Sequence, residues 1–342
     1  MKKVLIYFSG FLILFFVLPA IFTVTPIQEK VQETVATTET PEVQEPETPE
    51  VQEYDYQKYK TIKLMHLDTG QVEELNIDEY LYGVVSSEMP ASFELEALKA
   101  QAAVARTYTI YQIIHNSEKH ENADICDDFN CCQAWISKEE RLAKWEAEEA
   151  ESNWNKIVEA VDSTKGKIVT YNGEPINAFF HANSGGVTES SLNIWGGIDY
   201  PYLKSVETAG EEGYTQYASQ VVLNHQELLS KIKTKYEDCT IDFSQQDYIQ
   251  IIEYTTSGRV KTIKFGNKEI AGTEARTLLG LKSTNFTFSM DGENVTFTVT
   301  GYGHGVGMSQ TGADALSKAG SNYEAIIKHF YTDVEIIEVN SL

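Results

Sequence analysis

The chain is short of several things, and each shortage removes a class of protein. Four cysteines in 342 residues are too few for a scaffold built on disulfides. Positive charge is scarce: 27 lysines and arginines face 51 carboxylates, a net charge of −24. Binding to phosphate backbones needs a basic footprint, so no nucleic-acid partner is expected. Proline is scarce too, and four of the eight (Pro26, Pro41, Pro46 and Pro49) crowd into one short stretch. Apolar residues are not lacking: 42% of the chain, with 11% aromatic, can bury a core and exclude wholesale disorder.

The N-terminus carries a run of 21 uncharged residues, Val4 to Val24, behind Lys2 and Lys3. At about 1.5 Å per residue it spans the roughly 30 Å hydrocarbon layer. A cleaved signal peptide is the alternative, but Leu18-Pro19-Ala20-Ile21-Phe22 offers no small-residue cleavage pattern. The reading is therefore a cytoplasmic start and single-pass transmembrane anchor over 1–24. The two lysines lie on the short side and the first carboxylate is Glu29, which places the N-terminus in the cytoplasm and the rest outside it. Residues 25–55 hold nine carboxylates against one lysine and repeat Thr-Pro-Glu-Val-Gln-Glu at 40–45 and 48–53. Such a segment cannot repay its ordering entropy and reads as a disordered linker, able to reach up to about 90 Å when extended. Residues 56–342 remain as the folded ectodomain.

Within it, helices are expected early and antiparallel hairpins late, which argues an α+β fold. Thr61–Leu67 alternates as a strand and turns at Asp68-Thr69-Gly70 into 72–75. Asn76 with Glu79 starts a helix over 77–87, which Met89-Pro90 must end. Ser92 caps a second helix, and Ser137 with Glu140 a third that carries Trp145 and Trp154 on its apolar face and runs to Gly166. Asn172-Gly173 joins strands at 167–171 and 176–181; further hairpins are expected at 248–265 and, around Asp291-Gly292, at 286–300.

Four constellations could carry chemistry. Glu88 falls at the end of its helix, where the macrodipole is negative and carbonyls lack partners, beside apolar Val85 and Met89. Both effects raise a carboxyl pKa, as a general acid at neutral pH requires; a solvated helix-end glutamate is the plain alternative. His120, Cys126, Cys131 and Cys132 form a second group, suited to tetrahedral zinc, with His115 in reserve. A disulfide from Cys126 or unpaired thiols are the other readings, and four protein ligands would make the metal structural. In 180–189, His181, Asn183 and Ser184 follow a strand beside Gly185-Gly186; a serine nucleophile lacks its G-x-S-x-G elbow, so a polar binding loop or an ordinary glycine turn remains. In Gly301-Tyr302-Gly303-His304-Gly305-Val306-Gly307-Met308-Ser309-Gln310 no lysine follows the glycines, which excludes a nucleotide loop. Glycine at alternate positions clears one side of the backbone for close packing or a flat ligand such as a sugar.

Taken together, Glu88-Met89-Pro90-Ala91, Glu96 to Ala102, Ala105-Arg106-Thr107-Tyr108, Ser184-Gly185-Gly186, Pro201 to Val206 and Gly303 to Gln310 resemble the stage II sporulation protein D family, in its order, across nearly the whole ectodomain. The resemblance implies a peptidoglycan lytic transglycosylase acting at the engulfing septal membrane during sporulation. It would cut glycan strands between N-acetylmuramic acid and N-acetylglucosamine, leaving 1,6-anhydro ends, after a partner amidase-endopeptidase has removed the peptides; a membrane scaffold protein is a further implied partner. It implies Glu88 as the catalytic residue in a cleft for the strand. Arg106, Tyr108, His181, Ser184, Tyr202, Lys204, His304, Ser309 and Gln310 are implied near the glycan. It also implies zinc on this cysteine cluster, where Cys131 stands at a place the family usually gives to histidine. Tyr302 stands where tryptophan is expected and keeps an aromatic platform.

Two rival readings remain open at this level. One is a non-catalytic glycan-binding module that activates a partner amidase. The other is a zinc amidase or peptidase, against which stands the absence of H-E-x-x-H.

Overall fold

The computed structural model describes residues 59–115 and 118–341, so the apolar run and the acidic segment fall outside the described residues. Among the described residues no helix is long and apolar enough to cross a membrane. Alternation in Thr61-Ile62-Lys63-Leu64 buries Ile62 and Leu64 and makes β1 (Thr61–His66), antiparallel to β2 (Gln71–Asn76). Asn76 caps α1 (Ile77–Glu88) by accepting from the Asp78 N–H, without the capping box expected with Glu79. Met89 turns extended (φ −119°, ψ 142°), as a residue before proline must.

The next helix, α2 (Leu95–His115), begins later than Ser92. Ser92 sits in a turn closed by Phe93 N–H on the Pro90 carbonyl (3.0 Å), and Asp314 receives the Glu94 N–H (2.6 Å). The long helix is buried on nearly every face, because its alanines let neighbours approach from all sides. After β3 (Ile125–Cys126), parallel to β1, the single helix expected from Ser137 is two. Trp145, extended at φ −96° and ψ 156°, separates α3 (Lys138–Lys144) from α4 (Ala147–Asp162). Asn172 and Gly173, at φ 53° and 84°, make the expected tight hairpin between β4 (Lys167–Tyr171) and β5 (Glu174–Pro175). The partner strand stops there; β6 (Phe180–His181) pairs elsewhere, and α5 (Ser191–Trp195) follows.

A second core then forms from residues 218–300, centred on Leu228, Phe265 and Phe297. It contains β7 (Ala218–Asn224), α6 (His225–Lys233), β8 (Ile249–Tyr254), β9 (Val260–Phe265), β10 (Lys268–Ala271), α7 (Gly272–Leu279), β11 (Phe286–Asp291) and β12 (Asn294–Thr300). Its sheets, β10-β9-β8 and β11-β12-β7, are antiparallel throughout, and both expected hairpins are present. The chain then returns to the first core through β13 (Met308–Ser309), parallel to β6, then α8 (Gln310–Lys318), α9 (Tyr323–Phe330) and β14 (Glu335–Glu338), which pairs with β4. The fold is α+β, but strands open the first core and helices close it, so the early-helix, late-strand division is only approximate.

Candidate active site

Where α1 ends, the Glu88 carboxylate lies in a cavity of about 410 Å³ with Arg141, Trp145, Tyr302 and Gln310 on its walls. Two groups hold it: the Ala134 N–H donates to Oε1 (2.7 Å) and the Gln310 amide to Oε2 (3.2 Å). Burial raises the carboxyl above its usual range, and these two donors only partly offset it. Glu88 is the only carboxylate among the described residues lining this cavity. A larger cavity of about 710 Å³ adjoins it, sharing Pro90, Phe93 and Gln216, so the two together extend the depression.

Glycine places the first donor. A methyl on Gly83 would overlap the Trp135 indole and lie 2.6 Å from the Ile136 carbonyl oxygen. Without it, the strand of chain 133–136 lies directly on α1, which brings Ala134 under Glu88.

The second donor is placed by Glu211. Its buried carboxylate has the N–H groups of Ser184 (3.1 Å) and Gly186 (3.0 Å) within hydrogen-bond distance. The hydroxyls of Ser184, Thr208, Ser309 and Thr311 surround it as well. Burial would raise this carboxyl, but donors led by the Ser184 and Ser309 hydroxyls bring it below its ordinary range. Ser309 and Thr311 flank Gln310, so the Glu211 knot fixes the start of α8 and with it the amide that meets Glu88.

Most residues expected near a ligand are structural instead. Arg106 is fully buried and spends its guanidinium on the carbonyls of Val161, in the last turn of α4, and of Thr164 and Lys167 beyond it, with Asp78 at 3.4 Å. Ser184 is fully buried in the Glu211 knot, which leaves a serine nucleophile no access. The Tyr202 hydroxyl accepts from the Asn177 N–H (2.9 Å), and Lys204 is exposed off the cavity wall. His181 donates from Nδ1 to the Val306 carbonyl (3.1 Å), and its buried Nε2 has no partner; burial holds it at a pKa of about 3. His304 accepts from the Val306 N–H through Nδ1 (3.1 Å) and packs 5.2 Å from the Trp195 ring. Ser309 caps α8, and Tyr108 is buried against Phe179. The alternating glycines serve close packing: a side chain on Gly305 would meet the Arg259 guanidinium at 2.7 Å. Of the residues named for catalysis or binding, Glu88, Gln310 and the aromatic platform Tyr302 line the cavity. Arg141, Trp145 and Gln216 also line it and were not anticipated; Trp145 reads as a core position in a continuous helix, and the break behind it has no local signal.

His120, Cys126, Cys131 and Cys132 do come together, with their ligand atoms all within 4.8 Å of one another. All four cysteines are free thiols, which removes the Cys126 disulfide. Cys131 and Cys132 sulfurs are 3.9 Å apart, and His120 Nε2 is 3.7 Å from the first and 3.2 Å from the second. Metal–sulfur bonds of about 2.3 Å in a tetrahedron set sulfur atoms about 3.8 Å apart, so the donor set fits a metal ion of that kind. His115, at the end of α2, packs tilted against Tyr111 (ring centres 4.3 Å apart) and is not in the group.

The chain matches the family described as SpoIID, stage II sporulation protein, over residues 66–171. It is 36% identical over 272 residues to stage II sporulation protein D of Bacillus amyloliquefaciens, covering 79% of this chain and 76% of that one. The counterpart in Bacillus subtilis strain 168 is likewise 36% identical, covering 79% and 77% of the two chains. An amidase enhancer of Bacillus subtilis strain 168 is 32% identical over 73% of this chain but 39% of its own length. With identity sustained at that level across most of both chains, the protein belongs to the stage II sporulation protein D family.

Proposed function

We propose that this sporulation protein is a lytic transglycosylase of peptide-free glycan strands, with Glu88 as its acid and base. One observation carries the reading: Glu88, its pKa raised by burial, is the single carboxylate among the described residues lining its cavity, while Asp314 on the adjoining one is tied to Tyr214 and Lys318. Hydrolysis of a glycoside needs a second carboxylate, as nucleophile or as base for water. A lytic reaction does not. Protonated Glu88 gives its proton to the oxygen leaving the muramic C1. The muramic 6-hydroxyl oxygen then bonds to C1 while its proton passes to the Glu88 carboxylate. No water is consumed, and the carboxyl ends as it began. Ala134 and Gln310 keep it aimed, the two adjoining cavities suit a strand, and Tyr302 and Trp145 supply faces on which sugar rings can stack.

Zinc is the proposed metal for His120, Cys126, Cys131 and Cys132. Four protein ligands leave no open position, so it would tie the 120–132 loop and hold the neighbouring Ala134 in place. Metal analysis of the purified protein should give one zinc per chain, reduced by Cys132→Ser. Residues 4–24 are proposed as the membrane anchor and 25–55 as the tether that lets the domain reach the wall outside. Partners would be the glycan itself, an amidase-endopeptidase that strips the peptides, and a membrane scaffold protein.

The test is to incubate wild type and Glu88→Gln with strands freed of peptide and weigh the products. Fragments lighter than hydrolysis products by one water, made by wild type alone, support the reading. A second reading, activation of a partner amidase, is favoured by the relative named amidase enhancer. It requires that Glu88→Gln keep full stimulating activity while neither protein cuts the strand.

A further inference from the structure

Among the described residues lining the Glu88 cavity Arg141 is the one cation, and it makes no ion pair. Arg141 projects from α3 with its guanidinium 5.3 Å from the centre of the Trp145 ring. Its Nε is buried with no hydrogen-bond partner, and burial alone pulls its pKa below the usual guanidinium value, with no carboxylate pulling the other way. Among the described residues Arg276 is likewise half-buried with no ion pair, but it does not line this cavity, and Arg141 does. The two fully buried arginines also leave Nε unpartnered, but each donates from another nitrogen: Arg106 to the Thr164 carbonyl, and Arg259 to the Ser184 (2.6 Å) and Val187 (3.0 Å) carbonyls. A half-buried guanidinium left without an anion costs stability unless a ligand supplies one, and its planar fork suits a carboxylate.

We propose that Arg141 recognises the lactyl carboxylate of a muramic residue and so makes the cavity selective for strands whose peptides are gone. The inference rests on the glycan-strand reading above. N-acetylglucosamine is neutral. The muramic lactyl group is also neutral where it is joined to a peptide, because the link is an amide. Amide hydrolysis turns it into an anion, and no other group along the peptide-free strand is charged. Arg141 therefore orders two reactions: the amide must be cut before the glycan can be held.

The test separates recognition from chemistry. The full chain carrying Glu88→Gln, which binds without turnover, is titrated with a peptide-free muramic tetrasaccharide and with the same sugar whose lactyl carboxyls have been converted to primary amides. The carboxylate form should bind at least tenfold more tightly. Adding Arg141→Gln should bring both forms to the weaker affinity, and adding Arg141→Lys should restore part of the preference. Equal binding of the two forms before Arg141 is changed overturns the proposal. So does a preference that survives Arg141→Gln, which would leave the residue as a partner of Trp145 only. A preference that depends on Arg141, in a protein whose wild type cuts no strand, upholds the recognition and sinks the transglycosylase reading instead.

Discussion

Glu88, half-buried on a cavity wall, and Glu211, fully buried, are two carboxylates of the first core whose surroundings drive them in opposite directions. Around Glu211 two N–H groups and four hydroxyls converge, enough to replace the lost water and favour the charge. Around Glu88 there are two donors and an open cavity, so desolvation wins and the proton is held more tightly. The difference is one of donor supply, not of residue type. It divides the labour: a permanently charged knot builds the loop that presents Gln310, and an under-solvated carboxyl is left able to give and take a proton.

The largest expected effect is on activity. Glu88→Gln should lower strand cleavage by about 10²–10⁴-fold, the range for removing a general acid, in a product assay by mass spectrometry. The same variant should be slightly more stable than wild type at neutral pH. A carboxyl whose folded pKa is raised loses stability as pH rises through that value, and glutamine has no such loss; below about pH 4 the two proteins should melt alike.

Glu211→Gln attacks the other side of the comparison. It should cost on the order of 3 kcal/mol in urea unfolding, since several buried donors lose a charged acceptor. Here the folded pKa is lowered. The contribution of Glu211 is full above its unfolded pKa and is lost as pH falls through the folded one, so the deficit of the variant should shrink on acidification below about pH 4. A gap that stays constant with pH would mean the knot does not depend on the charge.

Gly83→Ala should push Trp135 and Ala134 off α1, costing about 1–3 kcal/mol as overpacking does and cutting activity with it. Its cleavage assay and melting curve test whether the Ala134 donor matters beyond packing. Gln310→Ala is the mildest change: a several-fold drop in kcat/KM, with the alkaline limb of the pH profile moving upward. The amide lowers the Glu88 pKa, so removing it keeps the acid form to higher pH. An unmoved limb would show that Gln310 does not reach the carboxyl in solution.

Glu88 was legible in the sequence because its signal is local. A helix ending in Glu-Met-Pro places a carboxylate where carbonyls point, beside apolar neighbours, although the burial that raises its pKa comes from residues distant in the chain. The hairpins were legible for the same reason, Asn172-Gly173 having backbone angles that few other pairs accept. The cysteine cluster was legible as spacing, with His120 preferred over His115, and the fold brings His120 to the three thiols. By contrast Arg106, Ser184, Tyr202 and Ser309 have the chemistry of ligand contacts but hold carbonyls, a carboxylate and an N–H group. Polar side chains that bind a sugar and polar side chains that bind a loop are the same residue types.

What the sequence determined by itself is therefore what depends on neighbours along the chain: the α+β pattern, the end of α1 and the turns. Tertiary structure alone decided which carboxylate keeps its proton. It did so by bringing Ala134 and Gln310 to Glu88 from 46 and 222 residues away, and Ser309 and Thr311 to Glu211 from 98 and 100. A pKa depends on the number of donors and the amount of water within a few ångströms of the carboxyl, and chain order does not specify either.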